Sequence, residues 1–301
     1  MHKVAFPHCY LLCIGNCGSR FSNRTTSIFL TRLLHADQQL CANLLIPNCL
    51  RSNLSYSPLA PLEFYVIKDK TMVLQEKLHT CAELMEYINE VGFLPLFSLG
   101  IKGWSAEEVM DEDCQYVRLP EGGYEWPLWD WKGDIIRETG CAYGKFISKK
   151  AVFISKQWWP DFCNYRRSKY PYPEPGSIEE AILETLKLND NMITRELRKA
   201  CGFTLPKMRS KFDAYVARLQ MGGYIVTEDF VYPRDKHGRK YGMGWALLNT
   251  PENLFGREAC HIDCSPEESK QRIVAQLCKI LPGIDEKGCE KLFDKGITTK
   301  L

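Results

Sequence analysis

Three groups of residues in this chain carry side chains suited to chemistry. Tyr165-Arg166-Arg167 closely follows Trp158-Trp159, so rings that can stack on a nucleobase and guanidinium groups that can pair with phosphate coincide in one segment. Lys207, Arg209, Lys211 and Arg218, together with Arg234, Lys236, Arg239 and Lys240 crowded in a single turn, form a second, basic group. Basic residues in such positions fix a protein on a phosphate backbone and do not read base sequence. Glu125, Asp130 and Asp134 form the third group, carboxylates set among Trp104, Trp126, Trp129 and Trp131. They have the chemistry to hold a water, although acids in aromatic segments commonly serve as caps or surface partners. Tryptophans in the same segment equally serve to fill a core.

Metal and disulfide chemistry find little support. The 14 cysteines are scattered, with no paired CxxC elements. Cys260-His261-Ile262-Asp263-Cys264 approaches half of a zinc site, but no second pair completes it. No metal and no cofactor is expected, and reduced thiols in a cytoplasmic protein are the simplest reading. A length of 301 residues, 45% hydrophobic and 25% charged, suits a globular protein of more than one domain. The net charge of +2 excludes a strongly basic protein as a whole, so any attraction to nucleic acid must be local. No apolar run approaches the ~20 residues needed to span a bilayer.

The elements that must position the basic groups lie between residues 177 and 248. Ser177 followed by Glu180 is a capping box at a helix start, and Ile178, Ile182, Leu183 and Leu186 recur at helical spacing. Asn189-Asp190-Asn191 is a turn. A short helix over Thr194–Cys201 closes at Gly202, and Pro206 opens a third. In that third helix Met208, Phe212, Tyr215, Val216 and Leu219 share one stripe. Lys207, Ser210, Lys211, Ala214 and Arg218 occupy the opposite face, with Arg209 at the boundary. Residues 224–232 and 241–248 are strand-like and flank the basic turn. Helix, helix, longer helix and hairpin together make a winged helix-turn-helix, with the third helix and the turn facing DNA.

Elsewhere the pattern predicts a helix from Met72 through Val91, an apolar proline-broken segment at 93–97, a strand at 151–155 and a proline-rich linker at 170–176. Ser265-Pro266-Glu267-Glu268 forms a second capping box before the apolar stripe of Ile273, Leu277 and Ile280, and a further short helix spans 285–294. Residues 1–71 differ in character, with five cysteines and no sustained period, and lack the uninterrupted apolar run of a signal peptide. Met72 is the expected natural start, with 1–71 a disordered or artefactual extension.

Gly92-Phe93-Leu94-Pro95-Leu96-Phe97, WPLWDWK at 126–132, AYGKF at 142–146, the winged-helix segment and TPENLFG at 250–256 occur in an order that resembles the AlkZ-type (YcaQ-like) crosslink-repair DNA glycosylases. The resemblance covers roughly 72–301. It implies a fold of winged-helix units, duplex DNA as partner, and hydrolysis of the N-glycosidic bond of alkylated bases without metal or cofactor. Such a reaction needs a group that places water and steadies an oxocarbenium-like sugar. The family uses a Gln-x-Gln or Gln-x-Asp motif, and here Pro95 and Phe97 stand in the segment that looks equivalent. Glu125, Asp130 and Asp134 are the replacement carboxylates.

The expectation is an α+β, mainly helical chain with small β-hairpin wings. It divides into an extension at 1–71, an aromatic-rich mixed domain at 72–176 (open to being a first winged-helix unit), a winged helix at 177–250 and a C-terminal helical extension at 251–301. The function expected is phosphate-directed binding of double-stranded DNA, related to repair glycosylases, with the catalytic step left open. A winged-helix transcriptional regulator and a non-catalytic protein-interaction module are the rivals.

Overall fold

A computed structural model describes residues 76–297 apart from Glu121, Arg239 and Pro282. The expectations for residues 1–71 lie outside the described residues.

The first helix, α1, spans Cys81–Val91, not Met72–Val91. Thr80 is its N-cap. The Thr80 hydroxyl accepts from the Glu83 amide while the Glu83 carboxylate accepts from the Thr80 amide, so the T-x-x-E box sets the start. Gly92 ends the helix at φ 80, and a Cβ there would lie 2.4 Å from the Trp158 ring. That position therefore needs glycine for both its backbone and its space.

Strand β1 (Phe93–Pro95) follows immediately. Pro95 sits in a strand and not in a break, which is tolerable because β1 is an edge of the sheet and proline has no amide to donate. A short helix α2 (Ala106–Val109), strands β2 (Val117–Arg118) and β3 (Tyr124–Glu125), and helices α3 (Pro127–Asp130) and α4 (Lys132–Thr139) come next. Strands β4 (Ala142–Ile147) and β5 (Lys150–Ile154) complete an antiparallel sheet in the order β1-β5-β4, with Ile154 opposite both Phe93 and Ala142. Helix α5 (Trp159–Lys169) packs against this sheet through Trp159 and Phe162, which stack on each other and meet Phe146.

The second part is built from α6 (Ile178–Asn189), β6 (Asn191–Ile193), α7 (Thr194–Ala200), α8 (Arg209–Met221), β7 (Val226–Val231) and β8 (Trp245–Asn249). Its sheet runs β6-β8-β7, all antiparallel. Strand β6 was not expected. Asp190 turns the chain at φ 58, and Asn191–Ile193 then pairs with β8. Ile182, Leu183, Leu186, Leu197, Phe212, Val216 and Leu219 fill one core, as the helical stripes require. The Ser177 hydroxyl caps the Glu180 amide, but the Glu180 carboxylate accepts from Gly176 and not from Ser177.

Helix α9 (Pro251–Phe255), helix α10 (Pro266–Ile280) and helix α11 (Glu286–Asp294) return to the first core and not to the second. Ile273, Val274, Leu277, Ile280 and Phe293 are buried there beside Phe93, Phe162 and Tyr165. Asn164 of α5 holds the loop before α10 by donating to the Cys264 carbonyl at 3.0 Å and the Ser269 hydroxyl at 2.9 Å. The Ser265–Glu268 capping box forms in full. Among the described residues no helix is long and apolar enough to cross a membrane.

Candidate nucleic-acid interface

Helix α8 presents different surfaces at its two ends. Its C-terminal half is tied down: Gln220 is buried and accepts from the Lys145 amide at 3.2 Å, and Leu219 and Met221 lie in the core. Arg218, expected on the DNA face, instead approaches Glu179 at 3.7 Å and lies over the Tyr170 ring at 5.2 Å. It belongs to the packing between α6 and α8. The free part of the helix is its start. Lys207, Arg209 and Lys211 are all exposed there, at the end where the helix dipole favours an anion.

The loop between β7 and β8 runs from 232 to 244. Arg234 and Lys240 pair across it, the Asp235 carboxylate accepts from the His237 amide at 2.8 Å, and Gly238 turns the chain at φ 81. Arg234, Lys236 and Lys240 are exposed. Arg239 lies outside the described residues. The far side of the loop leans on the first part of the chain. Its Gly242 carbonyl accepts from the Tyr124 hydroxyl at 3.3 Å, and its Met243 carbonyl accepts from the Trp129 indole at 3.1 Å.

The Tyr165-Arg166-Arg167 group is corrected by the structure. Tyr165 and Arg166 are buried, Arg166 with no exposed surface at all. The guanidinium of Arg166 donates to the Phe293 carbonyl at 2.6 Å and lies 4.5 Å from the Phe293 ring. The Tyr165 hydroxyl donates to Asp294 at 2.8 Å. Both side chains fasten α11 to α5 and neither faces a phosphate. Arg167 is half-buried and paired with Glu252 at 2.7 Å, on the wall of a cavity of about 450 Å³ shared with Tyr172, Lys187, Tyr224 and Arg257.

The three carboxylates also part company. Glu125 is exposed at the end of β3. Asp134 is bound to Arg137, which also holds Asp229 of β7. Gly133 makes room for that clamp, since a Cβ there would lie 2.4 Å from the Asp229 carboxylate. Asp130 has a carboxyl raised by desolvation, against the opposing pull of Lys240 and Lys132.

An aromatic group occupies the ground between β1, the β2–β3 hairpin and the 232–244 loop. Phe97 stacks on Trp129 at 6.2 Å and meets Trp126 at 6.1 Å, and the two indoles stack at 4.9 Å. Tyr116 and Tyr124 stack at 5.2 Å and remain exposed. Phe97 thus faces rings where the glycosylase resemblance calls for a polar group. Beneath Trp129 lies Lys132, only 1% exposed, its amine 2.8 Å from the Trp129 ring centre and 4.3 Å from that of Phe230. Burial drives its pKa down to about 6, partly offset by Asp130. Lys132 was not singled out from the sequence. In Trp129-Asp130-Trp131-Lys132 a lysine beside an aspartate has the look of a surface pair.

A family model described as AlkZ related matches residues 78–294. The chain belongs to the AlkZ-related family. Among solved structures, Streptomyces sahachiroi DNA glycosylase AlkZ is similar at 9% identity and a TM-score of 0.40, over 74% of this chain. This AlkZ-related chain spans 62% of that protein's length. No curated protein sequence matches it.

Proposed function

We propose that this AlkZ-related chain is a winged-helix DNA-binding protein of the repair-glycosylase kind, holding double-stranded DNA mainly through its phosphates. The first turn of α8 and the turn just before it, with Lys207, Arg209 and Lys211, enter the major groove, and Arg234, Lys236 and Lys240 of the wing meet the flanking backbone. The observation that carries this reading is the exposure of both basic groups on one three-helix, three-strand unit. The contacts fix position and leave sequence unread. Family membership supports a part in DNA repair. Pro95 and Phe97 give no support to a water-placing motif on β1 and after it, so base excision in the family's manner is not part of this proposal.

Fluorescence anisotropy with a labelled duplex across a salt series tests it. Each phosphate contact steepens the fall of log K with log salt by about 0.9. A Lys207→Ala/Arg209→Ala/Lys211→Ala variant is expected to bind more weakly and to show a shallower slope by up to that amount per residue. Parental affinity and slope in the triple variant would overturn the assignment of this face.

A further inference from the structure

An amine that nothing hydrogen-bonds is an expensive thing to bury. A hydrophobic residue of similar volume would fill the same space without desolvating a polar head. Lys132 is nonetheless kept under Trp129 and Phe230, and its pKa leaves the nitrogen a free base at neutral pH, the state a nucleophile requires. It does not stand alone. Among the described residues, buried polar atoms without a hydrogen-bond partner include the Lys132 amine, the Trp126 indole N–H and the Tyr232 hydroxyl. Trp126 stacks on the ring that covers Lys132, and Tyr232 begins the loop that pins that ring. Each of these buried donors lacks an acceptor, and an oxygen-bearing partner admitted beside Trp129 could supply one.

From this juxtaposition of an unpartnered buried amine, orphan donors and an exposed tyrosine stack beneath the wing, we propose that Lys132 forms an imine with the C1′ aldehyde of an abasic deoxyribose in DNA. The proposal deepens the DNA-binding reading above and rests on it. The nitrogen lone pair adds to C1′ of the ring-opened sugar, and a proton passes from nitrogen to oxygen through solvent to give a carbinolamine. Loss of that hydroxyl as water, with a second proton taken up from solvent and the remaining N–H proton given back, leaves the C1′–nitrogen double bond. No oxidant, metal or cofactor enters. The aldehyde is the product of N-glycosidic hydrolysis, so the class of reaction that supplies this substrate is base removal. Tyr116 and Tyr124 suit the same substrate, because a missing base leaves its neighbours and its opposite unstacked.

Access comes through the wing. Trp129 is the cover over Lys132, and the Met243 carbonyl at 3.1 Å pins it. The loop that carries this carbonyl also carries Arg234, Lys236 and Lys240, and turns at Gly242 and Gly244 with positive φ. Drawing the loop onto phosphates withdraws the pin from Trp129, so the amine is uncovered when DNA is bound.

The test is borohydride trapping with the full chain and a labelled duplex bearing one abasic site. Hydride delivered to C1′ converts the imine into a stable secondary amine, read as a covalent protein–DNA band and located by peptide mass mapping. The expected result is an adduct at Lys132 that falls to background in Lys132→Met and Lys132→Arg. Anisotropy on the same duplex separates the two ideas. DNA bound with no adduct, or with the adduct mapped to another amine, overturns the proposal and leaves the binding reading standing. Failure to bind DNA overturns both.

Discussion

Arg166 and Lys132 are both cations sealed inside this protein among aromatic rings, and they are sealed in opposite ways. Arg166 donates through Nη2 to the Phe293 carbonyl while its Nε and Nη1 stay unpaired, lies over the Phe162 and Phe293 rings, and remains charged with its pKa lowered only to about 10. Lys132 has rings on two faces, no hydrogen-bond acceptor, and a pKa near 6. A guanidinium is weakly hydrated and planar, so it slips between rings and still reaches a carbonyl. An ammonium is compact and strongly hydrated, so burial without an acceptor removes its proton instead. Arg166 is part of how the C-terminal helices are fastened. Lys132 carries the desolvation penalty of an unpaired amine, as expected of a group retained for what it does.

The sharpest way to break this contrast is to remove each cation and compare signs in denaturant melts. Arg166→Ala leaves the Phe293 carbonyl unpaired and a void between α5 and α11, and should cost about 3–5 kcal/mol. Lys132→Met replaces an unpaired amine by a thioether of similar length and should raise stability by about 1–3 kcal/mol. If both variants lose stability to the same degree, Lys132 is a packing residue like its counterpart.

The pH dependence sharpens the same contrast. Between about pH 6 and the ordinary lysine value, unfolded Lys132 binds a proton that the folded protein does not. Stability from this residue therefore rises with pH across that window, and its penalty is fully present below pH 6. The advantage of Lys132→Met over the parent should be largest near pH 6 and shrink steadily towards pH 10. A difference that stays flat over that range would place the lysine's proton elsewhere.

Much of the second part was legible because its signals are local. The helical stripe of Phe212, Val216 and Leu219 is buried as spaced, and Ser265-Pro-Glu-Glu forms its box within four residues. The failures have a common cause, which is that the deciding partner is far away along the chain. Tyr165-Arg166-Arg167 has the composition of a surface group, and only Phe293 and Asp294 of α11 show that it is internal. Arg218 matches the lysines of its helix face until Glu179 claims it. Lys132 looks solvated beside Asp130, and Phe230 of another sheet closes over it. The exception is α1, whose Thr80-Cys-Ala-Glu83 box was as plain as the one at Ser265. There, the expected helix runs upstream past the cap to Met72, and a fully formed cap is the stronger boundary signal.

The smallest effect concerns the 232–244 loop itself. Tyr124 is exposed, and its hydroxyl makes only long contacts, to the Gly242 carbonyl and the Met243 sulfur, so Tyr124→Phe should change global stability by no more than about 0.5 kcal/mol. Its consequence should be local. With that anchor gone, the loop leans on the first part of the chain through the Trp129–Met243 bond, and amide exchange across 240–244 should quicken while exchange in β7 and β8 stays as it was. A loop that opens more readily uncovers Trp129 more often, so borohydride trapping by this variant should rise at subsaturating DNA even though no group near the amine has changed. Faster exchange without faster trapping would mean that loop opening and access to Lys132 are separate events, and the buried amine would then be reached by some other route.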